Sequence, residues 1–184
     1  MWLRDSLPYD LISDTNGRPF TRVMIYGYES SIPRSKSIQN LEDLATSFRD
    51  SLLGLSNASM RPIIIIAHSL GGLIVKQAVI SLSKSKREDY RSLNRAIFGI
   101  LFFGVPHDGM DVTSLIPMVG DGPNRFLIDS IRHTNSQILN IQQQEFHSAL
   151  GHNSGSEIFC FFETLKSPTA IQVWQSHFYF MARH

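Results

Sequence analysis

The stretch Arg61–Leu82, RPIIIIAHSLGGLIVKQAVISL, decides the fold. Four isoleucines in a row, Ile63 to Ile66, follow Pro62. A short β-branched run of this kind reads as a parallel strand buried on both faces. A helix begins almost at once, and between the two lies Ala67-His68-Ser69-Leu70-Gly71-Gly72. So tight a turn brings the residue two before the serine against the residue two after it, and Ala67 and Gly71 are both small enough. A serine at that turn projects its Oγ above the carboxyl edge of the sheet, and the helix start behind it offers Leu70 N–H to an oxyanion. The pattern is a nucleophile elbow with alanine in place of the first glycine of G-x-S-x-G. A small-x-Ser-x-Gly string recurs by chance, so the buried strand before it, the second glycine and the apolar helix after it carry the reading. His68 reads as structural, because the base of a serine triad normally comes from a distant loop.

Outward from the elbow, the pattern alternates strands and helices. Upstream, Asn16-Gly17-Arg18-Pro19 is a turn and Thr21 to Tyr28, TRVMIYGY, is expected to form a strand. Ser37 is a candidate N-cap for a helix whose apolar stripe runs through Ile38, Leu41, Leu44, Ala45, Phe48 and Leu52. Downstream, Leu73, Ile74, Val75, Ala78, Val79 and Leu82 make a helix apolar nearly all round, followed by polar residues to Arg95. Ala96 to Val105, AIFGILFFGV, reads as a second buried strand, and Pro106-His107-Asp108-Gly109 as the turn at its carboxyl end, where ligands sit in parallel sheets. Met110 to Arg132 is irregular and suits a small cap. Asn135 to Leu150 resumes helical spacing, stopped by Gly151, and Glu157 to Phe162 is a third buried strand. The alternation predicts one α/β domain with a mostly parallel sheet flanked by helices.

Composition narrows the function classes. The chain has 184 residues, 42% hydrophobic and 18% charged, with a formal net charge of +1, which gives no electrostatic footprint for nucleic acid. The local cluster Lys84-Ser85-Lys86-Arg87 is followed by Glu88 and Asp89 and reads as a solvated helix end. The single cysteine, Cys160, excludes an internal disulfide, sits in an apolar run and fits a reducing, intracellular compartment. No stretch approaches the roughly 18 apolar residues of a membrane span, and no signal peptide or metal-ligand spacing is visible. No cofactor is implied.

The pieces MIYGYES, IIIIAHSLGGLIVKQAVI, IFGILFFGVPHDGM and IFCFFETLK resemble, in order and spacing, the α/β-hydrolase domain of the serine active site-containing protein family. The resemblance covers residues 1–166 as an incomplete domain and leaves 167–184 as an unaligned tail. It implies a serine esterase or lipase-like activity, or a module with the fold and no activity, joined to further domains in a full-length relative. It also implies peripheral association with mitochondrial or endoplasmic reticulum membranes, the alternative being the cytoplasm. Carried over, it gives Ser69 as nucleophile, Leu70 N–H as oxyanion donor and Glu163 as the acid, with Asp108 as the alternative acid. His107 is expected to pack the turn. The family's opening strand, with its His-Gly oxyanion loop, has no counterpart here, nor does the strand that bears the base. His177 and His184 remain as candidate bases, and the domain is expected to be cut at both ends. The fold expected is thus a partial α/β-hydrolase fold lacking the His-Gly strand, with the gap beside the Ile63 strand either closed by the Val23 strand or left open.

Two functions follow. One is acyl-ester hydrolysis through a Ser69 acyl-enzyme, without cofactor, the apolar acyl group lying near Met110, Leu115 and Met118. The other is a silent module used for binding or signalling, favoured by the unidentified histidine. Phosphate binding at the Leu70-Gly71-Gly72 helix start ranks third, because no Gly-Lys-Ser/Thr follows.

Overall fold

A computed structural model describes residues 5–7, 21–29, 39–55, 61–113, 121–122, 124–133, 136–151, 155–162 and 164. In chain order the elements are α1 (Leu41–Leu55), β1 (Ile63–His68), α2 (Leu70–Lys84), α3 (Glu88–Ala96), β2 (Ile97–Phe103), α4 (Arg125–Ser130), α5 (Ser136–Gly151) and β3 (Glu157–Phe161). The strands form one three-stranded sheet in the order β1-β2-β3, parallel throughout. Ile65 pairs with Ile100 and Ala67 with Phe102, and β2 continues the rows onto Ile158 and Cys160 of β3. This is the parallel sheet with flanking helices that the alternation predicts, and it matches the partial α/β-hydrolase-like fold that the resemblance implies.

One face of that sheet holds the core. Ile65, Ala67, Ile100 and Phe102 pack beneath α2, α5 and α3 with Leu73, Val79, Leu93, Leu139 and Phe146. A second cluster, Leu44, Ala45, Ile74, Ala78 and Leu127, joins α1 and α4 to the other flank of α2. Helix α2 is therefore central, as its nearly all-round apolarity predicts. Polar ties lock it to α5: Gln142 Nε2 donates to Leu73 O at 3.2 Å and to Gln77 Oε1 at 3.1 Å, and Lys84 meets Glu145 at 2.6 Å.

Several expectations are corrected. Residues 21–29 are in no strand, and Met24 and Ile25 are 47% and 65% exposed, since no neighbouring ladder pairs with them. The gap beside β1 is open among the described residues. Ile64 and Ile66 are 61% and 43% exposed, so β1 is buried on one face only. The same holds for β3, where Ile158 and Cys160 are half-buried while Phe159 and Phe161 are exposed. Helix α1 starts at Leu41, capped by Asn40: Asp43 N–H donates to Asn40 Oδ1 at 2.9 Å and Asn40 N–H to Asp43 Oδ2 at 3.1 Å, a reciprocal capping box. Ser37 lies outside the described residues. The polar stretch after α2 contains a helix, α3, anchored by buried Tyr90 and Leu93. Of the expected cap, α4 is described and Leu115 and Met118 are not, while Met110 is buried in a parallel bridge to Arg132.

Candidate active site

Ser69 joins β1 to α2 at φ 51°, ψ −130°, the one non-glycine residue with positive φ among the described residues. An L-residue reaches that region only under strain of about 1–3 kcal/mol. Backbone bonds impose it: Ser69 N–H donates to Phe103 O at 2.9 Å, and Ser69 O accepts from Gly72 N–H at 3.0 Å. A serine before a helix ordinarily turns its hydroxyl back to cap the first turn. Here it makes no such bond, so the Oγ stays available at the carboxyl edge of the sheet beside the positive helix end.

The two glycines after it differ in what approaches them, and Ala67, expected against Gly71, is not within 4 Å of where a Gly71 Cβ would stand. A Cβ on Gly72 would collide with both methyls of Val105, because the exit of β2 presses on the first turn of α2. Gly71 faces the Tyr28 hydroxyl, 3.9 Å from where its Cβ would stand. The exit of β2 is itself fixed by Gly104, at φ 53°, whose N–H donates to Phe161 O at 2.8 Å, and by a turn closed from Gly109 N–H to Pro106 O at 3.1 Å.

His107 packs against the core face of the sheet. Its ring meets Phe102 edge-on at 5.3 Å, its Nε2 is 3.9 Å from Cys160 Sγ, and its buried Nδ1 has no partner among the described residues. Burial, reinforced by the Lys76 charge and then His147, pushes its pKa down to about 3, so the ring is neutral and structural. Lys76 is 2% exposed, hydrogen-bonded to Gln143 Oε1, with Nζ 5.4 Å from the Phe146 ring centre. Burial pulls its pKa down to about 8, against the opposing pull of Cys160 and Asp108. Asp108 is exposed at the turn. His68 is exposed next to Ser69, His133 is exposed, and His147 is engaged with Gln143 at 3.0 Å. Among the described residues no histidine is hydrogen-bonded to Ser69. Strand β3 ends at Phe161, and Glu163, His177 and His184 lie outside the described residues. The structure thus joins Ser69 to the start of α2, puts the Tyr28 hydroxyl beside Gly71, and packs His107 against Phe102 and Cys160. Tyr28 and Lys76 were missed by the sequence reading. For Lys76 a signal was present, the one charge inside the apolar run LIVKQAV. Among the described residues no cluster of His, Cys, Asp or Glu could hold a metal, and no helix is long and apolar enough to cross a membrane.

A parallel sheet with a strained serine at a strand-to-helix elbow on its carboxyl edge defines an α/β-hydrolase-like domain, present here in part. No family model matches the chain. It is similar to Protein SERAC1 of Mus musculus, 33% identical over 95 residues that cover 50% of this chain and 14% of that protein. Protein SERAC1 of Danio rerio is 34% identical over 97 residues, with the same shares covered. The chain therefore matches only about 14% of the length of these relatives. Among solved structures, the mature form of Bacillus licheniformis lipase BlEst2 aligns with a TM-score of 0.48 and 12% identity, over 66% of this chain and 47% of that one.

Proposed function

We propose that this chain is a serine hydrolase-type domain acting on acyl esters, with Ser69 as nucleophile. The observation that carries the proposal is the Ser69 backbone, held at φ 51° with its hydroxyl left out of the helix cap. Ser69 Oγ adds to the ester carbonyl while its proton passes to a base. The bond to the alcohol then breaks, the alcohol takes the proton, and water cleaves the acyl-enzyme. Leu70 N–H stabilises the oxyanion, Glu163 is the acid that orients the base, and His177 and His184 are the bases to test. Without an engaged histidine, turnover falls by about 10⁴ to 10⁶ in kcat, leaving weak oxyanion and binding catalysis. The substrate class is a lipid or other acyl ester met at a membrane surface inside the cell.

A second reading, a silent binding or signalling module within a larger protein, is favoured by the lack of any described histidine on Ser69. A fluorophosphonate probe separates the two. Labelling of the folded chain that disappears in Ser69→Ala supports the hydrolase, and absence of labelling supports the module.

A further inference from the structure

An oxyanion usually takes a pair of donors, and Leu70 N–H is the one backbone donor assigned to it among the described residues. One hydroxyl stands at the right end of α2. Tyr28 Oη lies 3.9 Å from the Cβ position of Gly71, and among the described residues other than the chain neighbours Leu70 and Gly72 no other side chain comes within 4 Å of that position. Gly71 is two residues past Ser69, so the hydroxyl stands beside the first turn of α2, the turn that begins at Leu70. Its ring is fixed there: half-buried, packed against the Leu44–Ile74 cluster alongside Phe48 and Leu70, and stacked on Tyr26 at 6.5 Å. Burial, and secondly Tyr26, raises the phenol pKa, so the group keeps its proton through the neutral range. Among the described residues the O–H has no protein acceptor. A rigid, protonated, unengaged hydroxyl at a positive helix end suits an anionic oxygen arriving between it and the helix.

We propose, resting on the acyl-transfer reading above, that the Tyr28 hydroxyl is the second hydrogen-bond donor to the oxyanion formed at Ser69. No proton is transferred in this step. The carbonyl oxygen gains the negative charge as the Oγ–C bond forms, and it accepts one hydrogen bond from Leu70 N–H and one from Tyr28. The phosphoryl oxygen of a fluorophosphonate occupies the same place, so the labelling rate of Ser69 reads the donor directly.

The test uses the full chain and compares second-order labelling rates for wild type, Tyr28→Phe, Tyr26→Phe and Ser69→Ala. Loss of one oxyanion donor lowers the rate by about 100-fold in Tyr28→Phe, while Tyr26→Phe labels like wild type and all variants keep the wild-type circular dichroism. A folded Tyr28→Phe that labels at the wild-type rate overturns the proposal and leaves Ser69 standing as nucleophile. A folded wild type that does not label at all overturns the nucleophile reading itself. Should Tyr28→Phe fail to fold, 3-fluorotyrosine at position 28 keeps the shape and ionises at lower pH. The high-pH limb of the labelling profile then moves down with it, and an unmoved profile counts against the donor.

Discussion

Ser69 is held in a backbone region that glycine tolerates and serine does not. Replacing it tests whether the strain is real. Relief of about 1–3 kcal/mol, less the 0.5–1 kcal/mol that glycine loses through its freer unfolded chain, leaves a net gain near 1 kcal/mol for Ser69→Gly. Its urea midpoint is expected above wild type while probe labelling vanishes. A lower midpoint would mean that the φ of 51° stores no strain. The two glycines beyond answer in opposite ways. Gly72→Ala drives a methyl into Val105 and is expected to destabilise by about 1–3 kcal/mol, whereas Gly71→Ala meets only the Tyr28 oxygen at ordinary contact distance. Equal midpoints for the two alanine variants would refute this asymmetry.

Helix α2 carries an ionisable group into the core that its apolar neighbours cannot solvate. Lys76 has its pKa reduced from 10.5 to about 8 by burial. Below pH 8 the amine is charged in both folded and unfolded states, and the full burial penalty applies. Between about 8 and 10.5 the folded amine is neutral while the unfolded one still binds a proton, so stability rises with pH, by on the order of 3 kcal/mol. The Cys160 thiol, raised from 9.0 by burial, and above pH 10 the raised phenols of Tyr26 and Tyr28 act in the opposite sense, so the Lys76 contribution is read as the difference between wild type and Lys76→Met over pH 8 to 10. Lys76→Met should flatten that slope in urea melts, and an unchanged slope would assign it elsewhere. His107 makes a matching prediction on the acid side. Neutral in the fold down to about pH 3 against 6.5 unfolded, it withdraws stability as pH falls through that range, and His107→Gln should shallow the loss. At this scale the sequence was legible wherever burial sets the pattern. It placed β1, α2, β2, α5 and β3 to within a residue or two. It failed where pairing or a few anchors decide. TRVMIYGY has the composition of a strand but no ladder to join, and α3 is held by Tyr90 and Leu93 in an otherwise polar stretch. The elbow could be read because its chemistry is local. The approach of Tyr28 to Gly71 crosses 43 positions of chain and leaves no local trace.

At the scale of the molecule, the sheet is covered on one side only among the described residues. The bare side presents Ile64 and Ile66 of β1, Phe103 of β2 and Phe159 and Phe161 of β3, with Phe103 and Phe161 stacked at 4.6 Å. The outer edge of β1 also has no neighbouring strand there. An apolar face that ends in an unpaired strand is a template for another chain, since association buries the aromatic surface and pairs the free backbone groups together. The isolated chain is therefore expected to self-associate with rising concentration and to bind anilinonaphthalene sulfonate. The double variant Ile66→Thr, Phe159→Thr replaces the two residues that flank Leu101 in the Ile66, Leu101, Phe159 row without touching the opposite, packed face. It should shift light-scattering mass toward the monomer and lower dye binding, with the far-ultraviolet dichroism of the wild type retained. A wild type that stays monomeric and dark to the dye at every concentration would mean that this face is already covered within the chain, and the double variant would then lose stability instead of gaining solubility.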